Sequence, residues 1–132
     1  MTEGTCKLIR PGDEYRGKQG LKYTAGLNGE TAGSRHLSMA VVNLPDGARA
    51  KAHLHRDIET AVYVLEGAAV TFFGDRLQES LLARAGEYVY VPADLPHLVI
   101  NRSGALCRAM VVHTAPDDQE GIILLPELDA LV

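Results

Sequence analysis

The stretch that decides the fold reads Gly47-Ala48-Arg49-Ala50-Lys51-Ala52-His53-Leu54-His55-Arg56-Asp57-Ile58-Glu59. In an extended strand, residues two apart point to the same side, so His53 and His55 direct their imidazole rings into one space. Imidazole is the commonest protein metal ligand, and a nearby carboxylate such as Glu59 suits Mn, Fe, Ni, Zn or Cu better than Ca or Mg. The stretch therefore predicts a strand that contributes to a transition-metal site.

The composition around this stretch indicates one small β domain. The chain has 132 residues, of which 46% are apolar, and its 13 glycines and 6 prolines are dispersed rather than clustered. Strand-like segments recur at intervals of roughly 8 to 12 residues with turn residues between them, which is typical of a sandwich or a barrel. Thr31–Arg35 is predicted as a loop, and Pro126–Val132 as a tail or a short helical turn.

Charge and hydropathy argue against nucleic acid and membranes as partners. The net charge is −4 and the basic residues form no run, which argues against nucleic-acid binding. No apolar segment approaches the ~20 residues of a membrane span. The N-terminus has neither a basic start nor an apolar core, so we expect a soluble, cytoplasmic protein. Cys6 and Cys107 are accordingly predicted to be free thiols in a reducing compartment.

A third histidine stands in a second stretch of regular spacing. Gly86 is followed after five residues by Pro92, then after four by His97 and after three by Asn101. Here a strand runs into a proline-containing turn, and the chain returns with a histidine near the start of the next strand.

The two stretches together resemble the motifs of the cupins, in particular small single-domain bacterial cupins. The positions that match the first motif are Gly47, His53, His55, Glu59 and Gly67, and those that match the second are Gly86, Pro92, His97 and Asn101. The resemblance covers about residues 47–101. It implies an all-β, RmlC-like fold, the double-stranded β-helix or jelly roll of the cupin barrel, with a metal site inside.

Carried over by position, the resemblance implies that His53, His55 and His97 are metal ligands and that Glu59 is the fourth. It implies one divalent transition metal, such as Zn, Fe, Mn or Ni. Such a site leaves one or two coordination positions for water, substrate or dioxygen, which a catalytic metal needs.

Two positions depart from the motifs. Seven residues separate Glu59 from Gly67 instead of six, so counting back from Gly67 puts Thr60 at the usual acid position. A one-residue slip turns a strand side chain to the other face. Either a β-bulge returns Glu59 to the interior, which we favour, or Glu59 points elsewhere and three histidines form the site. Asp94 replaces the glycine of the second motif, and we expect the turn to survive, because aspartate tolerates unusual turn dihedrals.

Several other polar residues have both a functional and a structural interpretation. His36 and His113 match no motif position, and a surface or core role is favoured over one as a proton shuttle at the barrel mouth. Arg49 and Lys51 either hold an anionic substrate at the barrel opening or are solvated at the start of the strand. Four tyrosines could also contact a substrate, but a place in the core or in the barrel wall is favoured. They are Tyr23, Tyr63, Tyr88 and Tyr90.

The sequence predicts one barrel domain over residues 21–132, preceded by an arm over residues 1–20. We expect a homodimer, because open sheet edges must be covered and cupins commonly exchange terminal strands. The arm before Lys22 and the segment Gly121–Leu125 are the candidates for this exchange.

Three functions are compatible with these features. The favoured one is a metal-dependent enzyme on a small organic molecule, of dioxygenase, isomerase, decarboxylase, lyase or cyclase type. The alternative is a binding or sensor module that captures a small ligand without turnover. A structural role in an assembly has little support from the sequence.

Overall fold

The computed structural model describes residues 4–132, which form two antiparallel β-sheets and little helix. The strands, in chain order, are β1 Glu14–Arg16, β2 Lys22–Leu27, β3 Ser38–Leu44, β4 His53–His55, β5 Thr60–Glu66, β6 Ala68–Phe73, β7 Glu79–Arg84, β8 Tyr88–Val91, β9 His97–Ile100, β10 Cys107–His113 and β11 Ile122–Leu124. The helical elements are α1 Gly29–Ala32 and a 3₁₀ helix at Pro126–Leu131. The predicted all-β jelly roll is confirmed.

The two sheets are built from strands that are distant in sequence. One sheet has the order β1-β2-β3-β10-β5-β8, and the other has the order β11-β4-β9-β6-β7. The strand β10 lies at the centre of the larger sheet, where Val111 pairs with Ala40 of β3 and with Val62 of β5. Every pairing between neighbouring strands is antiparallel, as the jelly roll requires.

The inward-facing residues follow a period of two along the central strands. Buried and half-buried residues alternate without exception through β3 and β10. The buried positions are Ser38, Ala40, Val42 and Leu44 in β3, and Cys107, Ala109, Val111 and His113 in β10. Most of these side chains are small, so the two sheets leave open space between them.

Asn101, directly after β9, hydrogen-bonds to the end of β3 and to the loop that precedes β10. Its side chain is fully buried, and its Nδ2 donates to the carbonyl oxygens of Leu44 at 2.8 Å and Ala105 at 2.7 Å. Its Oδ1 accepts from the backbone nitrogen and the hydroxyl of Ser103 at 3.0 and 2.7 Å. The second motif therefore ends on a residue that fixes the loop between β9 and β10 against the end of β3.

Two turns of the motifs depend on left-handed backbone. Asp94 has φ of 67°, and its carboxylate accepts a hydrogen bond from the backbone nitrogen of Asp57 at 3.0 Å. The expected survival of this turn with aspartate in place of glycine is thus confirmed. Gly67 has φ of 79°, and a Cβ there would overlap the carbonyl oxygen of Leu106, so only glycine fits.

Strands near both ends of the described part of the chain pair with strands of the same chain. Within the predicted arm, β1 pairs with β2 of the same chain, and β11 pairs with β4. The arm as a separate segment, and its exchange with a partner, stay predictions.

Two local predictions concern the short helices. The loop predicted at Thr31–Arg35 is wrong at its start, because α1 runs through Ala32. Asn28 caps this helix by accepting from the backbone nitrogens of Glu30 and Thr31. The helical turn predicted for the C-terminal tail is present as the 3₁₀ helix.

Among residues 4–132, no helix combines the length and the apolar character needed to cross a bilayer.

Candidate metal centre

Three histidines meet at one end of the space between the sheets. His53 and His55 lie on β4, and His97 lies on β9 directly opposite His53. Their side chains are 3–8% exposed, and one ligand nitrogen from each lies within 4.8 Å of the others. The structure thus brings together all three histidines that the sequence predicted as ligands.

Hydrogen bonds to backbone carbonyls set the tautomers of two of these rings. Nδ1 of His53 lies 2.7 Å from the carbonyl oxygen of Lys51, and Nδ1 of His97 lies 2.9 Å from that of Leu95. A carbonyl oxygen only accepts, so Nδ1 carries the proton in both rings and Nε2 keeps a free lone pair. This arrangement is typical of histidines that bind a metal through Nε2.

The third ring has a buried nitrogen without a partner. Nδ1 of His55 is buried and makes no hydrogen bond to any of residues 4–132. An unpaired buried polar group costs about 1–3 kcal/mol. The buried rings, with two free Nε2 atoms and this unpaired Nδ1, form a donor set that fits a transition-metal ion.

Burial keeps these imidazoles in the neutral form that binds metals. Desolvation lowers the pKa of His53 well below its usual value, with neighbouring His97 adding to the effect. Desolvation also lowers the pKa of His97, and lowers that of His55 to about 3 with contributions from His113 and His97. Neutral histidines need no proton release before they coordinate an ion.

In metal-free protein, we expect stability to fall as the pH drops from about 7 to about 5. The folded-state pKa values lie below the unfolded value of about 6.5, so the unfolded chain binds more protons in this window and acid favours unfolding. Each histidine kept neutral in the folded state contributes up to about 1.4 kcal/mol per pH unit. Urea unfolding of chelator-treated protein across the window measures this slope, and a flat profile would contradict it.

Glu59 does not join the histidines. Its side chain is exposed, and Oε1 accepts a hydrogen bond from the hydroxyl of Tyr90 at 2.6 Å on the outside of the barrel. In β5 the inward positions are Thr60, Val62 and Val64, so strand alternation puts Glu59 on the outer side. The register shift in β5 falls between Val64 and Glu66, far from Glu59. This irregularity leaves Glu59 on the outer side, which corrects the expectation that a bulge turns it inward.

Thr60 and His113 occupy the space where the acid was expected. Thr60 pairs with His113 across β5 and β10, and Oγ1 of Thr60 lies 2.9 Å from Nδ1 of His113. The His113 ring stacks on His55 with 4.8 Å between centroids. Desolvation lowers the pKa of His113 to about 4, although Asp118 raises it in part. The favoured surface or core interpretation of His113 thus overlooked its place beside the three candidate ligand rings.

A cavity of about 100 Å³ extends from the histidines into the barrel. Beyond the histidine end, its wall is mostly aliphatic and includes Val64, Ala69, Val99 and Ala109. Gln19 and Tyr23 also reach the wall, where Nε2 of Gln19 donates to the Tyr23 hydroxyl. Oε1 of Gln19 in turn accepts from Gln119 at 3.4 Å, so this polar pair already has partners within the chain.

The remaining candidate residues lie away from this cavity. His36, Arg49 and Lys51 are exposed, and the Arg49 guanidinium donates to the carbonyl oxygens of Val132 and Asp129. Of the two cysteines, Cys6 is exposed and Cys107 is buried in the barrel wall, and both are free thiols as predicted.

Comparison with known proteins gives one family match. Residues 40–113 match the family described as Cupin domain. A comparison with curated proteins gives no match.

Several solved structures share the architecture. A sugar phosphate isomerase of the cupin superfamily from Silicibacter pomeroyi is 25% identical, with 80% of this chain and 71% of that chain covered and a TM-score of 0.61. An RmlC-like cupin protein from Methanocaldococcus jannaschii is 21% identical, with 83% and 90% covered and a TM-score of 0.62. The oxalate decarboxylase of Lactobacillus farciminis is 19% identical with a TM-score of 0.70, and the match covers 86% of this chain but only 33% of the decarboxylase.

Proposed function

Because the chain belongs to the cupin family, we propose that it is a metal-dependent enzyme that acts on a small organic molecule inside its barrel. The observation that carries the proposal is the group of three buried histidines, whose ligand nitrogens lie within 4.8 Å of one another at the end of a cavity. The 25% identity to a sugar phosphate isomerase is compatible with a small-molecule substrate.

We propose His53, His55 and His97 as the ligands of one divalent transition metal, without Glu59. A bound ion would act as a Lewis acid toward an oxygen of the substrate or would bind dioxygen. The chain itself holds the three rings in place through β4, β9 and two backbone carbonyls. The aliphatic wall keeps the site poor in water, which strengthens electrostatic interactions there.

His113 is the proposed proton carrier of the site. Its Nδ1 is engaged by Thr60 and its ring is stacked on His55, so its orientation is fixed beside the ligands. A buried neutral imidazole in hydrogen-bond contact with a hydroxyl can accept or return a proton without a large movement.

Metal analysis tests the proposal. Protein purified without chelator should contain about one Zn, Fe, Mn or Ni ion per chain, and adding that ion to stripped protein should raise the unfolding temperature by mass action. Protein that is metal-free, and whose unfolding temperature does not respond to any of the four ions, would contradict the metal site.

Capture of a ligand without turnover is the alternative function. One observation favours it: among residues 4–132, no aspartate or glutamate lines the cavity, so a carboxylate base is missing there. Incubation of metal-loaded protein with metabolite mixtures, followed by mass spectrometry, separates the two functions. New product masses support the enzyme, whereas depletion of one compound without product supports binding alone.

We further propose that the protein is a homodimer in solution. The outer face of the larger sheet carries a continuous row of apolar and aromatic side chains that strand pairing brings together, namely Met39, Val41, Tyr63, Tyr88, Tyr90, Met110 and Val112. Tyr88 is 80% exposed and Tyr90 is 61% exposed. Because large apolar patches tend to be covered and a symmetric dimer uses the same patch on both subunits, a second copy of the chain is the proposed partner.

Light scattering after size exclusion tests this proposal. Wild-type protein should have the mass of two chains, and Tyr88→Glu should shift it toward one chain. Glu79→Lys, an equally drastic change at an exposed residue of the other sheet, is the control and should leave the mass unchanged. A wild-type mass of one chain would contradict the dimer.

A further inference from the structure

The cavity is divided by polarity into two parts. At one end stand four histidines and Thr60. Along the larger sheet, the inward residues that follow are Val111 and Val62, then Ala109 and Val64. The smaller sheet faces them with Val99, Ala69 and Ala83, and with one hydroxyl-bearing residue, Thr71. A ligand in this space therefore meets a polar end and an aliphatic body.

Charged side chains are absent from this body. Among residues 4–132, none of the lining residues is an arginine, lysine, aspartate or glutamate. The basic residues nearest in sequence to the histidines, Arg49, Lys51 and Arg56, are exposed. Gln19 is engaged on both sides, because its Nε2 donates to the Tyr23 hydroxyl and its Oε1 accepts from Gln119. A second charge or a row of hydroxyls on the ligand would thus find few partners in the body of the cavity and would be desolvated without full compensation.

We infer that the ligand is an amphipathic monoanion, with a 2-oxo acid or similar oxygen-bearing head at the histidine end and a short hydrocarbon tail in the aliphatic body. The inference rests on the proposed metal site, because the three ligands are neutral and only a bound cation would attract the head. It sets this chain apart from proteins that act on oxalate or sugar phosphates, which are polar at every position.

Calorimetric titration of zinc-loaded protein with four probes tests the inference. The probes are pyruvate, 2-oxobutanoate, 4-methyl-2-oxopentanoate and oxalate. Affinity should rise by about fourfold for each methylene added, until the cavity is filled, because each buried methylene contributes about 0.8 kcal/mol. Oxalate should bind more weakly than 4-methyl-2-oxopentanoate.

Filling the aliphatic body should abolish this preference. Ala109 is 4% exposed and points into the middle of the cavity, so Ala109→Leu should remove the advantage of the branched tail but leave pyruvate and zinc binding as they are. Ala69→Val is a milder second variant, in case the larger side chain prevents folding. Ala61→Leu is the matched control, because Ala61 is exposed on the outer side of β5 and the change should have no effect on any probe.

The outcomes separate the two proposals. Zinc-loaded protein that binds all four probes equally, or oxalate most tightly, would overturn the amphipathic ligand and leave the metal site intact. If both cavity variants still preferred the branched probe over pyruvate as strongly as the wild-type protein does, the amphipathic ligand would also be overturned. Protein that takes up none of Zn, Fe, Mn and Ni would overturn the metal site, and the inference about its ligand with it.

Discussion

Replacing His97 by alanine is expected to lower the affinity for zinc by more than about 100-fold. His97 supplies one of three proposed ligand nitrogens, and even residues that only support metal ligands account for about 10- to 100-fold in affinity. Competition with a chromophoric chelator measures the loss. His53→Ala should have an equal effect, since the two rings pair across β4 and β9 and have the same tautomer.

Glu59→Gln is the decisive companion to this experiment. The Glu59 side chain is exposed and hydrogen-bonded to Tyr90. We therefore expect the zinc affinity of the Glu59→Gln variant to remain within about twofold of wild type, as for a residue that neither binds nor supports the metal. The exposed residue His36 provides a second control through His36→Ala. If Glu59→Gln lost as much zinc affinity as His97→Ala, the three-histidine site would be wrong and Glu59 would be the fourth ligand.

Replacing Asn101 by alanine is expected to destabilise the protein by about 3 kcal/mol or more. The change removes four hydrogen bonds of one fully buried side chain. Each lost hydrogen bond contributes about 1 kcal/mol, and the buried bond to the carbonyl oxygen of Leu44 contributes most, because the carbonyl oxygen of Ala105 keeps a bond from the Ser103 hydroxyl at 3.1 Å. A fall in the midpoint of urea unfolding with an unchanged m-value would measure the effect.

Asn43→Ala is the control for this stability prediction. Asn43 is only half-buried, and its side chain makes two long hydrogen bonds of 3.3 Å with Thr24 and Arg108. We expect a loss below about 1 kcal/mol there, as for an ordinary hydrogen bond. A loss at Asn101 as small as that at Asn43 would show that the second motif does not need this asparagine for stability.

The sequence was sufficient for those parts of the site that depend on spacing alone. His53 and His55 share a strand face by alternation, and His97 follows a turn in the second motif. The place of Glu59 was not determined by spacing, because two counts led to different faces. Only the structure shows where β5 begins and that its irregularity lies at Leu65, which leaves Thr60 inward.

Two further features were missed for different reasons. His113 belongs to no motif, yet it follows Cys107, Ala109 and Val111 at alternate positions, and this period of two was a signal for an inward histidine. Its neighbour in space, Thr60, is 53 residues away, which no local pattern can show. The helix α1 was hidden because Asn28-Gly29 is also a strong turn signal, although Asn28 acts here as a cap.

Because β10 is a central strand of the larger sheet, it determines when this chain can fold. Its two partners, β3 and β5, lie far upstream, so the larger sheet lacks its middle strand until Cys107–His113 has left the ribosome. A nascent chain that already carries the three histidines still has unpaired edges on β3 and β5. Pairing between such distant segments is slow, and the waiting edges are open to aggregation. We therefore expect folding of the barrel to follow the synthesis of β10, and cuts before β10 to yield insoluble fragments.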